Sequence, residues 1–131
     1  MATEVQAPEI EFVVVDGVDA RALDPAHLDW PPDSKVVFVT QNDNVVGRSS
    51  MFTLPMIAIL NLNMIEGTWV AEEKRGTSLA ARLIRKVESV FRENGKTHAY
   101  AFAYDEHPEI ADYLQRFGFN KMPLTIFMKQ L

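Results

Sequence analysis

"WVAEEKRGTSLAARLIRKVE", residues 69–88, runs from an apolar strand end through a charged turn and a small-residue stretch into an amphipathic segment. Leu79, Ala80, Leu83, Ile84, Val87, Val90 and Phe91 recur at three- and four-residue spacing, which predicts a helix with one apolar face. Asn94 and Gly95 supply its stop, and Glu88 with Arg92 forms an i,i+4 pair on the other side. Ahead of the helix the turn offers backbone N–H groups that the helix itself cannot pair, so this end attracts anions. Arg75 adds a permanent charge, Gly76 admits unusual backbone angles, and Thr77, Ser78 and Ala80 are small enough for a phosphate to approach. The same residues also suit a plain tight turn with a helix cap. The stretch is neither a Walker A loop nor a dinucleotide fingerprint, since it lacks both Gly-Lys-Ser/Thr and G-x-G-x-x-G.

Working outward, "IEFVVVDG" (residues 10–17) is β-branched, ends in an Asp-Gly turn signal and reads as a first strand. "VDARALDPAHLDWPPDS" can supply only a turn or two of helix, because Pro25 and then Pro31 and Pro32 interrupt it. Val36 to Thr40 and Val45 to Leu54 read as a hairpin around the Gln41 to Asn44 turn. "PMIAILNLN" (residues 55–63) follows neither period and is expected to be an elaborated connection, a candidate for an apolar contact. Met64 to Ala71 returns to strand. "THAYAFAY" (residues 97–104) alternates strictly, with His98, Tyr100, Phe102 and Tyr104 on one face, and predicts another strand. Pro108 and Glu109 open a last helix with Ile110, Tyr113, Leu114 and Phe117 on one face and Gly118 at its end. "MPLTIFMKQL" is expected to close the chain as a strand. The order predicts a mixed α/β sheet with helices on its faces.

The 131 residues, 47% hydrophobic and 24% charged, fit a single domain over residues 1–131 with one core. Cysteine is absent, which excludes disulfides, thiolate metal sites and a cysteinyl-acyl intermediate. A net charge of -5 argues against DNA as a partner. The N-terminal "MATEVQAPEIEF" has no basic leader, and no window approaches the ~18 apolar residues of a membrane span. A cytoplasmic protein without membrane contact is expected. His27, His98 and His107 lack ligand spacing, so no metal is assigned.

"WVAEEKRGTSLAARLI" resembles the acyl-CoA-binding motif of the GNAT superfamily of N-acyltransferases, a strand end followed by Arg/Gln-x-x-Gly-x-Gly/Ala and a helix. Arg75 matches the first position and Ala80 the last, while Ser78 stands where the middle Gly belongs. "YLQRFGF" (residues 113–119) is similar to the family's aromatic helix ending in Gly-Phe, "MKQL" matches its close, and the element order agrees from about Val36 to Leu131. The resemblance implies a mostly antiparallel central sheet with helices on both faces. Two splayed strands, Met64 to Ala71 and Thr97 to Tyr104, would form the acyl-CoA cleft, after an abbreviated N-terminal helical region.

The resemblance also implies acetyl-CoA as co-substrate and an amine acceptor, small molecule or peptide, acetylated by direct transfer in a ternary complex. Its pyrophosphate would meet Arg75, Gly76, Thr77, Ser78, Leu79 and Ala80, and its pantetheine the backbone at Trp69, Val70 and Ala71. Glu66, on the strand before the motif, stands where members often carry a general base, or is an outward-facing strand carboxylate. The family's acid tyrosine lies four residues before the Gly of Gly-Phe; here that is Leu114, with Tyr113 its neighbour and Tyr100 the substitute on the preceding strand. A catalytically weak relative, an acyl-CoA-binding or protein-interaction module, is the alternative. A homodimer is a candidate assembly, in which a second subunit would cover the cleft.

Overall fold

The computed structural model describes residues 9–57 and 60–131. The chain falls into two compact units, Met1–Ala101 and Phe102–Leu131. In the first, β1 (Ile10–Asp16), a one-turn helix α1 (Gly17–Ala20), β2 (Lys35–Gln41), β3 (Asn44–Ile57) and β4 (Leu60–Val70) lead through a 3-10 turn (Glu72–Lys74) into α2 (Leu79–Glu93). The strands form an antiparallel sheet in the order β1-β2-β3-β4, so β4 lies at an edge.

β2 is buried on both faces, which is why "VVFV" is a continuous apolar run rather than an alternation. Val36 and Phe38 join Ala20 of α1 in one cluster. Val39, on the opposite face, meets the other layer at Gly47, where an added Cβ would lie 3.7 Å from both Val39 Cγ2 and Leu83 Cδ2 of α2. Helices therefore cover both faces. The β2–β3 hairpin turns at Asn42 and Asp43, whose φ values of 51° and 63° are those of a two-residue primed turn. α2 buries Leu79, Leu83, Ile84, Val87, Val90 and Phe91, as its periodicity predicts. It ends at Gly95, φ 76°, with the Lys96 N–H donating to the Phe91 carbonyl at 2.9 Å.

Three local expectations differ from the structure. The stretch from Pro55 to Asn63 is the end of the β3–β4 hairpin, with Leu54 opposite Leu62 and Pro55 opposite Asn61, and only residues 58–59 of it lie outside the described residues. A register shift between Pro55 and Ile57 breaks the alternation, since proline has no N–H to give the ladder. Thr97 to Tyr104 forms no continuous strand: Tyr100 alone makes a parallel bridge, to Met64. The Ile65 N–H donates to the Tyr100 carbonyl and the Tyr100 N–H to the Asn63 carbonyl, both at 2.8 Å. In the second unit, α3 (Pro108–Arg116) starts at Pro108 and is closed by Gly118 at φ 89°, but the "MPLTIFMKQL" segment is not a strand, and Phe127 is 92% exposed. Alternation equips a segment for a ladder; the ladder still requires a free edge in register.

Because Leu83 is fully buried where α2 meets β3, Leu83→Ala is expected to cost about 3 kcal/mol in urea denaturation without changing the far-UV spectrum. A loss below about 1 kcal/mol would show that α2 is not anchored there.

Candidate functional site

The site begins where β4 leaves the sheet. The Ala71 N–H donates to the Val46 carbonyl at 2.8 Å, the last bond to β3. One 3-10 turn follows, with the Lys74 N–H on the Ala71 carbonyl at 2.8 Å and the Arg75 N–H on the Glu72 carbonyl at 3.1 Å. The Arg75 guanidinium folds back, its Nε donating to the Val70 carbonyl at 3.1 Å. Gly76 sits at φ 80°, a conformation that glycine takes without strain, and a Cβ there would meet nothing within 4 Å.

Ser78 is the N-cap of α2, and its side chain makes no cap bond. Thr77 Oγ1 instead accepts from the Leu79 N–H at 3.3 Å, and the Arg82 N–H returns to the Ser78 carbonyl at 3.0 Å. Among the described residues the N–H groups of Gly76, Ser78, Ala80 and Ala81 make no hydrogen bond. The first turn of α2 carries no acidic residue to oppose its dipole. Residues 75–78 are exposed, Ala80 is half-buried, and Leu79 is buried as part of the core face. The turn is therefore an open donor array at the end of an edge strand.

Trp69 is half-buried, while Val70 and Ala71 are buried. Glu66 is exposed on β4, opposite Ser50 of β3. Tyr100 is half-buried at the bridge, its ring stacked 6.5 Å from His98. Tyr113 lies in α3 of the second unit, half-buried with its ring 4.7 Å from Phe117. Burial pushes its phenol up, with the Arg116 charge opposing, so it keeps its proton through the neutral range.

A second set of residues lies beside the site, and no sequence period links them. β4 carries a bulge against β3 between Arg48 and Ser50, with Gly67 at φ 67°. Arg48 is 8% exposed and Asp24 1%. Arg48 Nε lies 3.1 Å from Asp24 Oδ1, near enough for an ion pair although the N–H is off line for a hydrogen bond. Asp24 also accepts from the Ala26 N–H and Trp30 Nε1, both at 3.0 Å. The guanidinium lies 5.5 Å from the Trp30 ring and 5.4 Å from that of Trp69. Burial raises the Asp24 pKa, but the Ala26 N–H, Arg48 and Trp30 outweigh it and hold the carboxyl below its ordinary value. The available signal was an arginine inside an apolar strand, "VVGRSS", which demands a buried partner.

Among the described residues no cluster of acidic or histidine side chains could hold a metal ion, and no helix is long and apolar enough to cross a membrane.

The model of the Acetyltransferase (GNAT) family matches residues 6–119. The chain belongs to this family of acyltransferases. No curated protein matches it by sequence. Among solved structures it is similar to the aminoglycoside N-acetyltransferase AAC(6')-Iy in complex with CoA, with a TM-score of 0.77 and 15% identity over 98% of this chain and 99% of that one. It is also similar to a ribosomal-protein-alanine N-acetyltransferase from Brucella melitensis biovar Abortus 2308, with a TM-score of 0.71 and 16% identity over 94% and 100% of the two chains. An integron cassette protein from V. cholerae gives a TM-score of 0.70 and 12% identity over 93% and 92%. At these identities the likeness is one of fold.

Because the folded-state pKa of Asp24 is depressed, its contribution is present above the unfolded carboxylate pKa and is lost as pH falls through the folded value. Asp24→Asn is expected to cost about 3 kcal/mol at neutral pH, and this gap from the parent should shrink as denaturation is followed into the acid range. A gap independent of pH would remove the ion pair from the account.

Proposed function

We propose that the protein is an N-acyltransferase that moves an acetyl group from acetyl-CoA to an amine acceptor by direct transfer in a ternary complex. In a chain of this family, the observation that carries the reading is the start of α2, where Thr77 caps the Leu79 N–H alone. Four N–H groups there are unpaired, the first turn lacks an acid, and Arg75 stands beside it. A pyrophosphate suits such a helix end, with Arg75, Gly76, Thr77, Ser78, Leu79 and Ala80 as its surroundings. The pantetheine arm carries amides and suits the strand edge of Trp69, Val70 and Ala71, where the Val70 backbone faces away from β3 and can be met as an added strand would meet it. The likeness to an acetyltransferase that holds CoA supports this assignment.

With no cysteine in the chain, the acceptor nitrogen attacks the thioester carbonyl directly. The C–N bond forms, the C–S bond breaks, and the amine must lose a proton while the thiolate gains one. The backbone donor of Val70, which faces away from β3 between Trp69 and Ala71, would contribute ~3 kcal/mol if aimed at the developing oxyanion. Glu66, exposed on β4, takes the amine proton directly or through water. Tyr113 and Tyr100 are the candidate donors to the thiolate.

The names of two similar structures, an aminoglycoside acetyltransferase and a ribosomal-protein-alanine acetyltransferase, span small-molecule and peptide amines. The fold accordingly does not choose between these acceptors. The second reading is a module that binds acyl-CoA or a protein partner without turnover. It is favoured by Leu114 at the position of the family's tyrosine and by the packing of Tyr113 on Phe117.

Calorimetry with acetyl-CoA tests the reading, since a parent protein that does not bind removes it. Ser78→Asp supplies the missing cap and should stabilise the protein by about 1 kcal/mol. Its carboxylate should nevertheless weaken acetyl-CoA binding by about tenfold, a pairing of opposite signs that a plain capped turn would not give. Thiol release over a panel of amines then separates enzyme from module, and full turnover by Glu66→Gln would eliminate Glu66 as base.

A further inference from the structure

Three successive residues of β3 are polar and buried: Arg48, Ser49 and Ser50 are 8%, 0% and 2% exposed. Such a run inside a sheet is costly unless each group finds a partner, and here each finds one at the β4 bulge. Arg48 Nη1 donates to the Gly67 carbonyl at 3.3 Å, Ser49 Oγ lies 2.8 Å from Thr68 Oγ1, and Ser50 Oγ donates to the Glu66 carbonyl at 2.7 Å. The bulge is thus gripped residue by residue. Trp30 closes it from another side, since a Cβ on Gly67 would fall 2.7 Å from its Cη2.

The bulge changes which backbone groups of β4 face outward. Before it, Asn63 and Ile65 point away from β3, because they bond Tyr100. After it, Ala71 points toward β3 and bonds Val46, while the Val70 carbonyl points away and accepts from Arg75. Outward-facing residues are odd-numbered before the bulge and even-numbered after it. Without the extra residue the alternation would persist and Val70 would face the ladder. The phase of the strand edge beside the α2 terminus is therefore set at Glu66 to Thr68.

We propose that Arg48, with Ser49 and Ser50, is a positioning device that fixes this bulge and so presents the backbone of Val70 to acyl-CoA. The proposal rests on the acyltransferase reading above. None of the three residues touches the substrate; they act through the strand. Asp24 and the two indoles hold Arg48 in place, so the planar guanidinium is required, and a lysine, with one charge and no fork, does not replace it.

The test uses the full chain and the spectroscopic accident that its only two tryptophans, Trp30 and Trp69, both lie on Arg48. Tryptophan emission therefore reads the device directly, beside acetyl-CoA affinity by calorimetry. Arg48→Lys is expected to stay folded, to shift the emission and to weaken acetyl-CoA binding by about tenfold. Ser50→Ala should do the same to a smaller extent, and it decides the matter if Arg48→Lys does not fold. Arg75→Ala should weaken binding with the parent's emission unchanged. Parental affinity in folded Arg48→Lys or Ser50→Ala protein, despite a shifted emission, would overturn the positioning role while leaving the acyltransferase reading intact. A parent that does not bind acetyl-CoA would overturn both.

Discussion

The ion pair between Arg48 and Asp24 is the constraint on which the arrangement of this molecule turns. Taking two such charges out of water costs on the order of several kcal/mol each, and an apolar pair of similar volume would often serve stability as well. What the pair supplies is geometry. One carboxylate gathers the irregular loop between α1 and β2 through the Ala26 N–H and the Trp30 indole, and fixes the guanidinium that reaches the Gly67 carbonyl. A loop interrupted by three prolines has little core of its own, and Asp24 gives it a buried anchor. The loop, β3 and the β4 bulge are thereby tied at one point.

From that point the consequences run toward chemistry. The bulge bends β4 and reverses its alternation, and pairing with Tyr100 is limited to one bridge just before it. β4 continues to Val70 as an edge strand and delivers its last residues to a helix start where the N–H groups of Gly76, Ser78, Ala80 and Ala81 are unspent. In most proteins unpaired donors at a helix terminus are a weakness, and here Thr77 takes only the Leu79 N–H while Ser78 and the first turn leave the others unpaired. On the proposed reading a diphosphate and an amide-bearing arm would use both features, and they adjoin each other.

What was legible in the sequence was what local spacing encodes. The buried stripe of α2, the hairpin around the Gln41 to Asn44 turn, the glycine stops at Gly95 and Gly118 and the small-residue turn at Arg75 to Ala80 all follow from periods and conformational preferences of neighbouring residues. The bulge and its grip were not legible, because Asp24, Arg48 and Gly67 are separated by about twenty residues each and no period links them. The segments around Tyr100 and Leu124 show the converse error. Their composition permits a strand, but a strand is a relation between two segments, and only the fold reveals whether an edge in register is available. The resemblance in the Arg75 turn identified the family, whereas the acceptor lies in features that the motif does not encode.

The most direct measurement is residue-resolved amide hydrogen exchange of the full chain with and without acetyl-CoA. The N–H groups of Gly76, Ser78, Ala80 and Ala81, unpaired in the free protein, are expected to become protected together with that of Val70 on the strand edge. Protection confined to other parts of the molecule, with these five amides exchanging as before, would contradict this expectation.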